Sequence, residues 1–274
     1  MAAAGTREAE ERMEIIVVDG QALNVVEQGN PDGPALVFAN SLGTDHRVWD
    51  RVVPAFTADF RVIRYDKRGH GLSDAPTGDY TIAEHTADLI GILDAKGISK
   101  AAVAGVSVGG LIAQSLALTA TERVSALILS NTAAKIGTAE SWAERIAALE
   151  SGGIASIADA ILDRWFSPDF FAHRADELRG WRNMLLRTPL AGYRGTCAAI
   201  RDADFRDRVG TVAVPTLCIG GRHDGSTPPE AVQALADAIP GARFVLIEEA
   251  GHLPCVEAPA AVIAAMRSMF VGNG

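Results

Sequence analysis

The strongest constraint on the fold of this chain is the pentapeptide of residues 105–109, whose sequence is Gly-Val-Ser-Val-Gly. An apolar run, residues 101–104, precedes it, and residues 110–118 follow it with the composition of a buried helix. A strand that turns this sharply into a helix holds its serine in a strained backbone conformation with the hydroxyl exposed. A Cβ on either glycine would collide across so tight a turn. The pattern therefore predicts an elbow that presents Ser107 as a nucleophile.

The rest of the chain alternates short apolar runs with segments of helical periodicity. Strands are predicted at residues 14–18, 23–27, 35–39, 61–65, 124–129, 215–220 and 243–247, and helices at residues 82–96, 230–239 and 259–270. The first two strands form a hairpin around Asp19-Gly20, a strong two-residue turn signal. Strands that alternate with helices indicate a mostly parallel sheet covered on both faces. With 274 residues, 48% of them hydrophobic, the chain is long enough for one large α/β domain.

The alternation stops between Asn131 and Asp204, where segments rich in Ala, Trp and Arg occur without a clear strand. Such an insertion within an alternating pattern predicts a helical cap over the sheet. We therefore expect a flexible tail over residues 1–12, a core of residues 13–134 and 205–274, and a cap over residues 135–204.

Composition excludes several classes of partner. A formal net charge of -9 and a pI of about 5.2 argue against nucleic acid and anionic membrane surfaces, which both need a basic footprint. Residues 1–12 lack the apolar region of a signal peptide, and no apolar stretch is long enough to span a membrane, so a cytoplasmic protein is predicted. Cys197, Cys218 and Cys255 are odd in number and scattered, which gives neither a disulfide framework nor a CxxC metal pattern. A homo-oligomer stays open.

A serine nucleophile needs an adjacent base, which a third group orients. In a parallel sheet such groups come from loops at the carboxyl ends of strands. Two loops after later strands supply them, because residues 220–225 contain Asp224 and residues 248–254 contain His252. His223 is an alternative base, but neighbours on a tight loop usually point apart. His70, in a glycine-rich loop, is expected to structure that loop rather than to catalyse.

The oxyanion that forms during acyl transfer needs preorganised N–H donors. Val108 follows the nucleophile at the start of the elbow helix, and Leu42 lies in the loop after the strand at residues 35–39. We predict that their two backbone N–H groups form the oxyanion hole.

The chain order Ser107, Asp224, His252 and the elbow resemble the α/β-hydrolase family over residues 15–270. Three segments resemble, more closely, the 3-oxoadipate enol-lactonases of the β-ketoadipate pathway. They are Asn-Ser-Leu-Gly-Thr at residues 40–44, Arg-Tyr-Asp-Lys-Arg-Gly-His-Gly-Leu-Ser at residues 64–73, and Ser-Asn-Thr-Ala-Ala-Lys-Ile-Gly at residues 130–137. Val106 and Val108 depart from the Leu and Met usual in that family, which alters side chains beside the nucleophile without removing an N–H. The resemblance implies the α/β-hydrolase fold, with a mostly parallel central sheet, helices on both faces and a helical cap insertion.

The resemblance also implies a reaction. Ser107 would open a five-membered enol-lactone that carries a carboxylate, and water activated by His252 would release 3-oxoadipate in aromatic-compound degradation, with no metal and no cofactor. Candidate substrate-binding residues are Asn40, Trp142, Arg145 and Lys135, with Arg194 as a further cation. A general carboxylesterase or a cofactor-free perhydrolase would use the same triad, and a non-catalytic ligand receptor would share the fold. Dehalogenases and epoxide hydrolases are disfavoured, because they place Asp at the elbow.

Overall fold

The computed structural model describes residues 11–270, so residues 1–10 and 271–274 lie outside the description that follows. The flexible tail predicted over residues 1–12 falls almost wholly outside it. Its last residue, Arg12, is the first residue of a strand, because it pairs with Glu27 on the next strand. Within residues 11–270, no helix is both long enough and apolar enough to cross a membrane.

An eight-stranded sheet forms the centre of the molecule. Its strands are β1 (Arg12–Val18), β2 (Gln21–Gly29), β3 (Ala35–Ala39), β4 (Arg61–Tyr65), β5 (Ala101–Val106), β6 (Val124–Ser130), β7 (Thr216–Gly221) and β8 (Arg243–Ile247). Their order across the sheet is β1-β2-β4-β3-β5-β6-β7-β8. β2 runs antiparallel to both of its neighbours, and all other neighbouring strands are parallel. The predicted mostly parallel sheet is confirmed.

The predicted hairpin is confirmed at the first turn of the chain. Asp19 and Gly20 have φ values of +48° and +80°, the two positive angles that a tight two-residue hairpin turn requires. Val18 and Gln21 on either side are the first paired residues of the ladder. The turn residues thus fix the register of β1 against β2.

Within residues 11–270, ten α-helices accompany the sheet. They are α1 (Ile82–Ala95), α2 (Val108–Thr119), α3 (Ala139–Gly152), α4 (Ala158–Trp165), α5 (Pro168–His173), α6 (Ala175–Leu186), α7 (Leu190–Asp202), α8 (Pro229–Ala238), α9 (Pro254–Glu257) and α10 (Pro259–Phe270). α2 packs against β5 and β6, while α8 and α10 pack against β7 and β8. Thr81 and Glu84 form a capping box at the start of α1, and Gly97, with φ of +65°, follows its end.

Five helices, α3 to α7, lie between β6 and β7 in a stretch where the structure has no strand. They pack on one another, α3 against α7 and α6 against both α4 and α5. In α4 the buried residues are Ala158, Ile161, Leu162 and Trp165, which follow helical spacing. We propose residues 135–204 as the cap and residues 13–134 with 205–274 as the core.

The parallel strands bring five loops to one edge of the sheet. β3, β5 and β7 are buried along their whole length, as expected of strands covered on both faces. Leu42 follows β3, Ser107 follows β5, Asn131 follows β6, Asp224 follows β7 and His252 follows β8. The carboxyl ends of parallel strands are where such folds bind ligands.

Candidate active site

Ser107 occupies the sharp turn between β5 and α2. Its φ of +59° lies in the left-handed region, which a side chain other than glycine rarely adopts. A Cβ on Gly105 would lie 2.2 Å from the carbonyl oxygen of Gly109, and a Cβ on Gly109 would lie 2.4 Å from the carbonyl oxygen of Ala39. Both distances are far below van der Waals contact. The predicted steric need for two glycines beside the serine is confirmed.

The end of β6 holds the backbone of this elbow. The Ser107 N–H donates to the Ser130 carbonyl at 3.0 Å, and the Thr132 hydroxyl donates to the Ser107 carbonyl at 2.8 Å. The Ser107 side chain is left facing a cavity, although the residue is only 6% exposed. The strained conformation is therefore fixed from outside the elbow, as strained functional residues require.

Asp224 and His252 form a buried pair on neighbouring loops. His252 Nδ1 lies 2.8 Å from Asp224 Oδ2 and 3.0 Å from Oδ1. The carboxylate also accepts hydrogen bonds from the Ser226 N–H at 2.7 Å and the Thr227 N–H at 2.9 Å. Burial alone would raise the pKa of Asp224, but His252, Thr227 and the Asn131 amide outweigh it and lower the pKa. An ionised Asp224 makes Nδ1 of His252 the protonated nitrogen, which leaves Nε2 of a neutral ring able to accept a proton.

Asn131 is a site residue that the sequence analysis did not single out. Its side-chain amide donates to Asp224 Oδ2 at 2.9 Å and to the Gly251 carbonyl at 3.1 Å, so it joins the loop of the acid to the loop of the base. Asn131 is fully buried and has a φ of +48°, a conformation in which Asn is enriched. The sequence offers two signals for this role: Asn131 directly follows a buried strand, and it lies in the segment of residues 130–137 that resembles the enol-lactonases.

A cavity of about 330 Å³ lies between these loops and the helices of the proposed cap. Its lining includes Leu42, Ser107 and His252 from the core, and Trp142, Arg145 and Arg164 from the cap. Ser107 and His252 therefore share one cavity, whose cap side carries the two arginines and also the carboxylate of Glu144. A cavity of this volume is typical of small-molecule sites.

The two backbone N–H groups predicted to form the oxyanion hole are free to donate. Neither the Leu42 N–H nor the Val108 N–H has an acceptor among residues 11–270. The loop of Leu42 is held by His70, whose Nε2 accepts from the Gly43 N–H at 3.0 Å and whose Nδ1 lies 3.2 Å from the Arg68 carbonyl. Burial lowers the pKa of His70 well below its usual range, so the ring is neutral and accepts through Nε2. His70 thus structures the loop, as predicted.

Two of the predicted substrate-binding residues line the cavity. The guanidinium of Arg145 lies 4.8 Å from the ring centroid of Trp142, in cation–π geometry. No carboxylate within residues 11–270 forms an ion pair with Arg145, although Glu144 also lines the cavity. Arg145 therefore offers the cavity a positive charge that the described protein does not neutralise by contact.

The structure corrects the prediction of substrate contacts for Asn40 and Lys135. Asn40 is fully buried, and its amide donates to the carbonyls of Ser41 and Thr44 in its own loop. Lys135 Nζ donates to the Ala203 carbonyl at 3.3 Å and lies 3.8 Å from Asp204 Oδ2. Neither side chain belongs to the cavity lining. Both side chains instead make contacts that stabilise the chain's own loops.

Arg164 is a second cavity cation that the sequence analysis missed. It lies near the end of α4, and its carbonyl accepts the Gly225 N–H at 3.2 Å. Burial raises the pKa of Tyr193, a cavity residue on α7, and the positive charges of Arg145 and Arg164 oppose that rise. Arg194, the other cap cation considered, is paired with Asp79 instead.

His223 was predicted as an alternative base, and the structure adds His46 as a member of a polar cluster. His223 is exposed and lies outside the cavity lining, which removes the alternative base from the site. Within residues 11–270, Asp45, His46 and Asp66 are the only group of His, Cys, Asp and Glu side chains close enough to share a metal ion. His46 Nδ1 lies 2.9 Å from Asp66, and Asp45 pairs with Arg47. The oxygens of this group are already engaged as acceptors in a hydrogen-bond network.

Comparison with known proteins identifies relatives over nearly the whole chain. The model of the alpha/beta hydrolase family matches residues 36–265. The chain is 37% identical over 240 residues to 3-oxoadipate enol-lactonase 2 of Acinetobacter baylyi, which covers 88% of this chain and 90% of that protein.

Solved structures similar to this chain include an enol-lactonase and an esterase. The enol-lactonase from Burkholderia xenovorans LB400 is 37% identical, with a TM-score of 0.92 over 94% of this chain and 100% of that chain. A thermophilic esterase from Thermogutta terrifontis with malate bound is 28% identical, with a TM-score of 0.89 over 95% of this chain and 98% of that chain.

Proposed function

The chain belongs to the alpha/beta hydrolase family, and we propose that within it the protein is a serine hydrolase that opens 3-oxoadipate enol-lactone to 3-oxoadipate. One observation carries the proposal. Ser107, His252 and Arg145, which forms no ion pair within residues 11–270, line the same cavity, with Asp224 hydrogen-bonded to His252 behind it. The identity of 37% to an enol-lactonase supports the choice of lactone. On the same similarity we extend the proposal to a role in aromatic-compound degradation, and a cytoplasmic location stays a prediction.

In the first half of the proposed reaction, Ser107 Oγ attacks the lactone carbonyl carbon while His252 Nε2 accepts the hydroxyl proton. Asp224 holds the imidazole in the required tautomer and stabilises the imidazolium. Collapse of the tetrahedral intermediate breaks the ring C–O bond and leaves an acyl-enzyme. The leaving group is an enolate, which the imidazolium proton quenches. Ketonisation of the enol then prevents the ring from closing again.

The negative charge of each tetrahedral intermediate falls on the former carbonyl oxygen. Leu42 and Val108 are proposed to donate their backbone N–H groups to it, because both are free of other acceptors within residues 11–270. Each such donor supplies about 3 to 4 kcal/mol of transition-state stabilisation in enzymes of this kind. Val108 also begins α2, whose N-terminus favours negative charge.

In the second half, water enters the cavity and His252 accepts one of its protons. The hydroxide oxygen bonds to the acyl carbon, the bond to Ser107 Oγ breaks, and the imidazolium returns its proton to the serine. The product leaves with two carboxylates, one from the substrate and one formed in the reaction. The chain thereby regenerates its starting state.

The substrate's own carboxylate needs a local cation, because the protein as a whole carries a formal net charge of -9. Arg145 is proposed as this anchor, with Trp142 as the wall that holds its guanidinium flat. Arg164 adds a second positive charge to the same lining. An uncharged ester would gain nothing from either residue.

A general carboxylesterase is the second candidate. The similarity to a thermophilic esterase, at 28% identity, favours it. Both functions use the same nucleophile and base, so they differ only in the contribution of the cavity cations. The discriminating quantity is therefore substrate preference.

The test is kcat/KM for 3-oxoadipate enol-lactone beside that for an uncharged ester of similar size, with Ser107→Ala as control. A preference of about tenfold or more for the lactone, equivalent to about 1.4 kcal/mol in the transition state, supports the lactonase. Equal or reversed values reduce the function to a general esterase. Full activity in Ser107→Ala would remove the proposed mechanism altogether, and a folded protein that a fluorophosphonate does not label would favour the ligand receptor.

A further inference from the structure

The carbonyl oxygen of Ser41, next to the proposed oxyanion donor, lies among an unusual number of hydrogen-bond donors. Lys67 Nζ donates to it at 2.5 Å and Thr44 Oγ1 at 3.0 Å. The Thr44 N–H and the Asn40 amide add two longer contacts, both of 3.3 Å. One carbonyl oxygen has two lone pairs, so this set exceeds what a buried carbonyl needs to be satisfied.

The strongest of these donors, Lys67, is a fully buried lysine. Lysine is almost never buried to this extent unless it is paired. No carboxylate within residues 11–270 lies within the 4.0 Å of an ion pair, and Ser41 O is the one acceptor that Lys67 Nζ reaches in this part of the chain. Burial lowers the pKa of Lys67 well below its usual range, against the more distant charges of Asp66 and Asp45. A neutral amine still donates through its N–H bonds.

The Ser41 carbonyl and the Leu42 N–H belong to one peptide group. A trans peptide is planar, and its C=O and N–H point in opposite directions. Holding the carbonyl towards Lys67 therefore turns the Leu42 N–H the other way. That N–H has no acceptor among residues 11–270, and Leu42 lines the cavity with Ser107. Donors on a carbonyl also polarise the peptide, which strengthens its N–H as a donor.

We propose that Lys67 is a positioning residue that orients and polarises the Ser41–Leu42 peptide, so that its N–H is presented to the oxyanion formed at Ser107. The inference rests on the proposed function, because it takes Ser107 as nucleophile and Leu42 as oxyanion donor. Lys67 itself does not line the cavity. Its removal therefore acts on the chemical step and leaves the binding of substrate unchanged.

The first experiment compares Lys67→Met, which removes the donor, with Lys67→Gln, which keeps a shorter neutral donor. Lys100→Met, at an exposed lysine, is the matched control. For Lys67→Met we expect kcat to fall about 10- to 100-fold. This decrease is no larger than the decrease in kcat caused by removing a whole oxyanion donor. KM stays within about twofold of the wild-type value, and Lys67→Gln recovers part of the loss. A trifluoromethyl ketone that adds to Ser107 binds more weakly by the same factor as kcat, because its adduct carries the oxyanion.

The second experiment reads the peptide directly and does not depend on turnover. The sequence contains two Ser-Leu peptides, Ser41–Leu42 and Ser115–Leu116. Labelling serine with 13C at the carbonyl and leucine with 15N therefore isolates two amide signals, and the one inside α2 serves as internal reference. We expect the Leu42 amide proton to move upfield in Lys67→Met and Lys67→Gln, while the Leu116 signal stays in place.

Three results would overturn the inference. They are wild-type kcat and inhibitor affinity in folded Lys67→Met, a loss confined to KM, or a Leu42 amide signal that the variants do not shift. Should Lys67→Met not fold, the same readouts are taken on Lys67→Gln. A wild-type protein without hydrolase activity would refute the proposed function, whereas the Leu42 signal would still decide whether Lys67 polarises the peptide.

Discussion

Replacing Arg145 with glutamine separates the two candidate functions most directly. Arg145 lines the cavity, stacks on Trp142 and has no ion pair within residues 11–270. A hydrogen bond to a charged group contributes about 1.5–3 kcal/mol, which corresponds to about 10- to 150-fold in kcat/KM. Arg145 is half-buried, so solvent screening places the expected loss in the lower half of that range. Glutamine keeps a donor but removes the charge.

The assay measures kcat/KM for the enol-lactone and for an uncharged ester of the same size. We expect Arg145→Gln to lose activity towards the lactone only, mainly through KM, because the anchor contacts a carboxylate that does not react. Arg194→Gln is the matched control, since Arg194 is also a cap arginine but is paired with Asp79 and Glu150 outside the cavity lining. Equal losses for both substrates, or an equal loss in the control, would refute the assignment of Arg145 as carboxylate anchor.

Three further predictions follow from the geometry. Gly105→Ala places a Cβ 2.2 Å from the carbonyl oxygen of Gly109 in the elbow. The resulting displacement of Ser107 should lower kcat by about 100-fold and should also lower the melting temperature, and an alanine variant with normal kinetics would contradict the steric argument. Asn131→Ala removes the buried hydrogen bonds of 2.9 and 3.1 Å to Asp224 and Gly251. In a denaturant titration, the free energy of unfolding should fall by about 2–4 kcal/mol, and an unchanged midpoint would show that this bridge between the two loops is dispensable. The pKa of Asp224 is lowered in the folded state. The carboxylate's contribution to stability is therefore complete above the unfolded pKa of about 3.9 and is lost as pH falls through the folded pKa. The difference in free energy of unfolding between wild type and Asp224→Asn should shrink over that acid range, and a constant difference would contradict the ionised carboxylate.

Features set by local chemistry could be predicted from the sequence. The hairpin at Asp19-Gly20 and the elbow around Ser107 both depend on a few adjacent residues whose backbone angles are restricted. The bounds of β3, β4 and β8 agree with the predicted strands for a similar reason, because short apolar runs end where polar or glycine-rich loops begin. The loops of Asp224 and His252 then followed from the order of the strands, since carboxyl ends of parallel strands share one edge.

The direction of individual side chains could not be predicted in the same way. Lys135 and Arg145 are both cap cations separated by ten positions, yet only Arg145 faces the cavity. Arg145 lies on α3, which packs against α7, whereas Lys135 precedes that helix, so tertiary packing decides which of the two side chains faces the cavity. Arg164 was missed for the same reason, because nothing in the sequence of α4 says which of its faces covers the nucleophile. Asn40 was predicted to contact the substrate, but its amide donates hydrogen bonds within its own loop.

The main-chain contacts of α4 connect the proposed cap to the loops of Asp224 and His252. The last carbonyls of a helix have no partner within the helix and need donors from elsewhere. Here the Gly225 N–H donates to the Arg164 carbonyl at 3.2 Å, and the His252 N–H donates to the Trp165 carbonyl at 2.8 Å. The loops that carry the acid and the base therefore complete the end of α4. Arg164 and Trp165 also line the cavity, and their carbonyls hold the backbone of Gly225 and His252. We therefore expect a substitution in α4 that changes KM to change kcat as well.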